Sequence, residues 1–310
     1  MTKKKAQYRV RNWREYNDAL VQRGSLTLWI EESVLSQWHV NERKGKRGAP
    51  TRYSDWLIQM ALVIREVFHL PLRALEGFLR SIVQLMGLEG VSVPDYTTLC
   101  RRQKRLQVTI PRLFRGEPVH IAIDSSGLKI YGEGEWHRKV HGAGRRRSWR
   151  KLHIGVDCDT RQVVSCELTA SFVTDDQVLE ELLDQLDGDP LASVAADGAY
   201  DTRQCHQAIA ERKATALIPP REDAVEWEPD HPRTAVVRAI RQQGRKEWKQ
   251  ASGYHRRSLA ENAFFRLKTL FSDRLKNRSF ESQCTEAYCR IVALNRMTAL
   301  GMPESVPVVA

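Results

Sequence analysis

The order of strand-type and helix-type segments after residue 120 constrains the chain more than any other feature. HIAID (120–124) is a short β-rich run, and a Gly-rich, basic stretch follows it, SSGLKIYGEGEWHRKVHGAGRRRSW, which reads as a loop. KLHIGVDCD (151–159) and QVVSCELTA (162–170) are joined by a tight polar turn and read as a hairpin. Residues 175–188 form an amphipathic helix with Val178, Leu179, Leu182, Leu183 and Leu186 on its apolar side. LASVAA (191–196) is the next strand, 202–213 a helix and TALIPP (215–220) a strand. Residues 221–236 show no strong period and read as loop; a helix around Glu261 and another over 284–300 complete the pattern. Three consecutive strands, the last two in a hairpin, followed by alternating helices and strands predict a mixed α/β sheet, largely parallel, with helices flanking it.

The first third of the chain is helical in character. Residues 1–25 are polar and basic and read as an arm; 26–39 carries a helical apolar pattern, and NERKGKRGAPTR (41–52) breaks it as an exposed loop. Helices are expected over 54–68 and, after a turn at 69–71, over 74–87. TTLCRRQKRL (97–106), with Asp95 as its N-cap, carries Arg101, Arg102, Lys104 and Arg105. These helices are similar to a helix-turn-helix with a basic recognition helix, and equally to a plain bundle with a solvated basic face. The expected division is a helical DNA-binding region over 1–115, a catalytic domain over 116–300 and a tail over 301–310.

Composition narrows the partner. The 310 residues carry 49 Lys+Arg against 38 Asp+Glu, a formal charge of +11, which suits a polyanionic partner such as nucleic acid. Hydrophobic residues make up 42%, enough for a sizeable core, yet no apolar run is long enough to span a bilayer, so no membrane partner is expected. MTKKKAQYRVRNW lacks an apolar segment after its basic residues and does not read as a secretory signal. Six cysteines without CxxC pairs read as reduced thiols of a cytoplasmic protein; Cys158 and Cys166 lack the spacing of a zinc knuckle.

Three carboxylates stand out. Asp124 follows HIAI and Asp197 follows SVAA, and in open α/β sheets ligands gather at the carboxyl ends of strands. Each aspartate taken singly also fits a turn, in Asp-Ser-Ser-Gly and Asp-Gly. Glu261 lies in YHRRSLAENAFFRLK, where Ala260, Ala263, Phe264, Leu267 and Phe271 form an apolar stripe. Tyr254, Arg257 and Lys268 stand at i−7, i−4 and i+7 from Glu261, within an arc of roughly 60° on an α-helix. A bland alternative is a solvated face with an Arg–Glu i,i+4 pair. Three carboxylates brought together repel one another unless a cation neutralises them, and all-oxygen ligands select Mg²⁺ or Mn²⁺. Two such ions about 4 Å apart are the apparatus of phosphodiester displacement. Asp157, Asp159, Asp175 and Asp201 are rival acids, placed in a hairpin turn or at helix caps.

The element order resembles a ribonuclease-H-like domain. IDSSGLKIYGEGEW, SWRKLHIGVD, ADGAYDT and the spacing Tyr254-x2-Arg257-x3-Glu261-x6-Lys268 resemble the DDE transposases of bacterial insertion sequences, most closely the insertion-sequence-five family. YRVRNWREYNDALVQRGSLTLWI is similar to the opening of those proteins. The resemblance implies a ribonuclease-H-like fold with Asp124, Asp197 and Glu261 as catalytic, metal-holding triad and Tyr254, Arg257 and Lys268 as DNA contacts near the cut. It implies metal-dependent hydrolysis at the element's terminal inverted repeats, then attack of the freed 3′-hydroxyl on target DNA, by a homodimer or larger assembly. The protein would act in the bacterial cytoplasm, at the nucleoid when bound. The 63 residues between Asp197 and Glu261 leave no room for a separate insertion domain. On this reading the basic stretch with Arg145, Arg146 and Arg147 clamps the DNA backbone, and Trp136 and Trp149 stack on an unpaired base or else close the loop as core aromatics. Two alternatives stand beside it: a nuclease of the same fold that cuts without joining, and a DNA-binding protein whose catalytic domain is silent.

Overall fold

Ser54 caps the first long helix through its hydroxyl, which accepts the Leu57 N–H at 3.0 Å, and behind it Leu57, Ile58, Ala61, Leu62 and Ile64 are buried. This is a computed structural model; it describes residues 8–30, 36–40, 52–88, 90–111, 116–130 and 149–308. The chain divides into two compact units, Met1–Arg102 with Val292–Ala310, and Gln103–Ile291. The first contains β1 (Tyr8–Val10), α1 (Trp13–Gln22), α2 (Leu26–Trp29), α3 (Asp55–Val67), α4 (Leu72–Leu85) and α5 (Tyr96–Arg102). α4 buries Leu75, Leu79, Ile82 and Val83, a helical repeat of one face. Asp95 caps α5, accepting the Thr98 N–H at 2.6 Å.

The second unit contains β2 (Val119–Ile130), β3 (Trp149–Asp157), β4 (Val163–Ala170), α6 (Leu179–Asp184), β5 (Leu191–Ala195), α7 (Arg203–Glu211), β6 (Thr215–Leu217), α8 (Pro232–Gln243), α9 (Arg245–Ala251), α10 (Ser258–Phe271) and β7 (Arg274–Leu275). α11 (Phe280–Leu300) begins in this unit and continues into the first, where β8 (Ser305–Pro307) pairs antiparallel with β1. The main sheet runs β4-β3-β2-β5-β6, with β7 added beside the far end of β2. β2–β3 and β3–β4 are antiparallel; β2–β5, β5–β6 and β2–β7 are parallel. A three-strand antiparallel ribbon continued by parallel strands, with helices on both faces, is the ribonuclease-H-like arrangement. On one face Ile121, Ile123 and Val194 pack with Leu179, Leu182, Leu183, Cys205 and Ile209 from α6 and α7.

Four local expectations change. β2 does not stop at Asp124: Asp124–Lys129 pair with Ile154–Trp149, so Ser125, Ser126 and Gly127 are strand, not turn. Gly127 suits that pairing, because a Cβ there would meet the Trp149 ring at 3.0 Å. α1 lies where an arm was expected, and α8 and α9 fall in and after a stretch read as loop. α5 ends at Arg102, short of Lys104 and Arg105: Gln103 is buried and its carbonyl accepts the Thr285 hydroxyl at 2.6 Å. Among the described residues no helix is long and apolar enough to cross a membrane.

Candidate active site

The parallel register of β2 and β5 places the first two carboxylates. Ala122 pairs with Ala195, the last residue of β5; two residues further on stand Asp124, still in β2, and Asp197, just past the strand end, close enough for each charge to be felt by the other. The Asp124 carboxylate accepts the Ser125 N–H at 2.9 Å, and Asp197 caps a 3₁₀ turn at Gly198–Tyr200 by accepting the Ala199 N–H at 2.9 Å. α10 packs across this edge: Ala260, Ala263, Phe264, Leu267 and Phe271 are all buried, Lys268 borders that stripe and reaches the strand, and Glu261 stands half exposed at its outer margin.

Arg257 joins the groups. Its guanidinium donates to Asp124 Oδ2 at 3.2 Å and also to the carboxylate of Glu261. Lys268 Nζ donates to Ser126 Oγ at 2.6 Å; Ser126 lies two residues beyond Asp124, on the same face of β2. Tyr254 is 8% exposed, its ring 5.9 Å from that of Trp248, and it hydrogen-bonds Arg257. Tyr254 and Arg257 lie in a 3₁₀ turn ahead of α10, so Tyr254 does not follow the α-helical phase expected from its spacing.

Electrostatics mark Asp124 as the strained member. Burial pushes its pKa up, the charges of Asp197 and Glu261 push the same way, and the Ser125 N–H and Arg257 offset part of this. Burial likewise pushes the Tyr200 phenol up, and its hydroxyl feels the charges of Asp175, Asp124 and Asp197. Among the described residues no three His, Cys, Asp or Glu side chains are close enough to hold an ion between them; the Arg257 guanidinium lies between two of the acids instead. The donor set itself, three carboxylates and no sulfur or imidazole, fits a hard divalent cation.

The rival acids have other duties. Asp157 closes the β3–β4 turn by accepting the Asp159 N–H at 2.8 Å and the Thr160 hydroxyl at 2.7 Å. Asp159 pairs with Arg256, and Asp175 with Lys151 at 3.2 Å. Asp201 is held by a two-pronged contact from Arg233, at 2.6 and 2.7 Å, and by His206 at 3.2 Å. Burial raises its pKa, but these partners outweigh it and hold the carboxyl well below the usual range.

The other expected DNA contacts are scattered. Trp136, Arg145, Arg146 and Arg147 lie outside the described residues. Trp149 pairs with Lys129 across β2–β3, with the Lys129 ammonium 5.6 Å from its ring, on the sheet face opposite Asp124 and Ser126. Arg101 is exposed, whereas Arg102 reaches back to the Tyr53 carbonyl at 2.8 Å and to Asp55.

A family model described as "Transposase DDE domain" matches residues 115–296, more than half of the chain and the whole of the site just described. The chain belongs to the DDE transposase family. A second model of the same description matches residues 21–133 of this transposase. It is accordingly an enzyme of metal-dependent DNA cleavage and transfer. Among solved structures it is similar to a piggyBac transposase synaptic complex with hairpin DNA, at 10% identity and a TM-score of 0.35, covering 94% of this chain and 76% of that one. It is also similar to a pre-cleavage Mos1 transpososome, at 12% identity and a TM-score of 0.24, covering 83% and 81%.

Proposed function

We propose that this DDE transposase mobilises a bacterial insertion sequence of the insertion-sequence-five type. It binds the element's terminal inverted repeats, cuts phosphodiester bonds there and joins the freed 3′-hydroxyls to target DNA. The observation that carries this is the register that sets Asp124 beside Asp197, with Glu261 tied to Asp124 through Arg257. In this reading Asp124, Asp197 and Glu261 hold two Mg²⁺ or Mn²⁺ ions, which when bound supply an activated attacking oxygen and a stabilised leaving oxygen. The chain's own residues position the DNA. Lys268 and Arg257 meet phosphate oxygens beside the cut, and Tyr254, buried against Trp248, holds Arg257 in place.

The helical region read as 1–115 contacts the repeats, with the exposed Arg101 reaching the DNA and Arg102 bracing α5 against Tyr53 and Asp55. Arg145, Arg146 and Arg147 lie along the phosphate backbone and Trp136 meets a base near the cut, whereas Trp149, on the sheet face away from Asp124, closes the loop against Lys129. Pairing of two element ends calls for a homodimer or larger assembly, acting at the bacterial nucleoid.

The test is a cleavage and joining assay on a duplex carrying the inverted repeat that flanks the gene, with Mg²⁺ or Mn²⁺. Cuts at the repeat end followed by joined products are expected. Cuts without joining would favour the nuclease alternative, and binding without cuts in either metal would favour a silent catalytic domain.

Within the same assay Arg257→Ala and Lys268→Ala should separate. Arg257 contacts two of the acids as well as DNA, so its loss is expected to lower cleavage by about a hundredfold and change the metal requirement, as outer partners of metal ligands do. Lys268 touches none of the three acids by a hydrogen bond among the described contacts, so its loss should weaken DNA positioning at an unchanged metal optimum. A raised metal requirement in Lys268→Ala with unaltered DNA affinity would show the assignment to be wrong.

A further inference from the structure

Phe265 stands out on α10. Its side chain is 72% exposed, although the helix buries five other apolar residues on its opposite side. At about 100° per residue Phe265 lies roughly 40° from Glu261 on the outward side, while Lys268 lies roughly 20° away on the inward side. Along the axis it is about 6 Å beyond Glu261 and about 4.5 Å short of Lys268. Along the axis an apolar ring thus stands between the levels of the acid and the ammonium, displaced from both towards solvent, the side from which DNA reaches Lys268 and Arg257 in the proposed function.

A strand offers a base between its phosphates, so a strand lying from Glu261 towards Lys268 presents one over this ring. A phenyl group forms no hydrogen bond with base edges, and in a paired stack the flat faces of the bases are covered by their neighbours. It gains contact area when a base has left the stack and turned its face outward. Lys268 and Arg257 supply the positive charge that holds such a strand close.

We infer that Phe265 is the platform on which a base next to the cut stacks after it unpairs, which offsets part of the cost of opening the duplex end. This rests on the transposase reading above and adds to it a residue that takes part in neither metal holding nor phosphate contact.

The experiment uses the full chain as wild type, Phe265→Ala, Phe265→Leu and Phe265→Trp. Each is given the flanking-repeat duplex, fully paired or with a mismatch that unpairs the base next to the cut, and cleavage is measured at saturating DNA. Phe265→Ala and Phe265→Leu are expected to cut the paired duplex roughly tenfold more slowly or worse, the size of losing one stacked base, while Phe265→Trp keeps most of the rate. The mismatch should narrow the gap. In chelator, 2-aminopurine at the same position should change fluorescence on binding wild type and not on binding Phe265→Ala. Melting temperatures should agree within error, because the ring is exposed. Equal rates for wild type and Phe265→Ala on paired DNA would overturn the inference, as would a deficit that the mismatch leaves untouched. Failure of wild type to cut either duplex would instead bring down the transposase reading beneath it, so the two failures are told apart.

Discussion

Asp124→Asn, Asp197→Asn and Glu261→Gln should each lower cleavage and joining by more than about a hundredfold, since even the outer partners of metal ligands are worth 10–100-fold. DNA binding in chelator should remain. The stability change has a definite sign. The folded pKa of Asp124 is raised by burial and by its acidic neighbours, so the folded state holds that proton more tightly than the unfolded state does. Above the folded pKa the ionised carboxylate therefore costs stability, and below the ordinary carboxylate range that cost vanishes. Asp124→Asn should melt higher than wild type at neutral pH without metal, and the difference should close on acidification. Added Mg²⁺ should stabilise wild type more than the variant. Residual cutting at a tenth of the wild-type rate by any of the three variants would remove that residue from the site.

Arg233→Ala is the second change with a large expected effect. The side chains of Asp201 and Arg233 are both buried, and Arg233 also donates to the Val225 carbonyl at 2.8 Å and lies 4.0 Å from the Trp227 ring. Truncating one partner leaves a buried carboxylate without its counter-charge, which costs about 3–5 kcal/mol. For a unit of this size that amounts to a fall in melting temperature of about 10 °C. The Asp201 pKa is depressed in the fold, so its contribution is present above the ordinary carboxylate pKa and is lost as pH falls through the folded value. The gap between wild type and variant should accordingly be full at neutral pH and shrink in acid. Asp201→Asn on top of Arg233→Ala should recover part of the loss, because the stranded charge is gone. An unchanged melting curve for Arg233→Ala would show that the pair does not hold the segment after Asp197 together.

The parts legible in the sequence were those with local signals. The stripe Ala260, Ala263, Phe264, Leu267 and Phe271 is helical by period alone, and each of the five is buried. Asp95 and the hairpin turn at Asp157 announced themselves by residue type. What escaped depended on distant partners. Ser125, Ser126 and Gly127 look like a turn until β3 pairs with them, and their strand character comes from Trp149–Ile154. The cage around Asp201 draws on Arg233, 32 positions away, which no spacing rule connects to it. α8 had a usable signal in Pro232 at its first turn behind His231, whose ring accepts the Arg233 N–H at 3.1 Å. Its weak apolar period hid it. Tyr200, whose hydroxyl feels both aspartates, could have been suspected from its place three residues after Asp197.

β2 is the strand on which the sheet depends, and its partners arrive late in the chain. β3 pairs with it soon after, but β5 begins at Leu191 and β7 at Arg274. During synthesis, which releases the chain from its N-terminal end, the antiparallel ribbon can form first. Asp124 then waits for the parallel pairing that sets Asp197 beside it, and both wait for α10. Translation that stops before Ser258 yields a polypeptide with two of the acids and no helix to complete the set. In such a product Lys129–Ile130 also lack their β7 partner, leaving an uncovered strand edge of the kind that invites aggregation and proteolysis. Interrupted synthesis thus yields fragments that lack the helix carrying Glu261 and keep one strand end open.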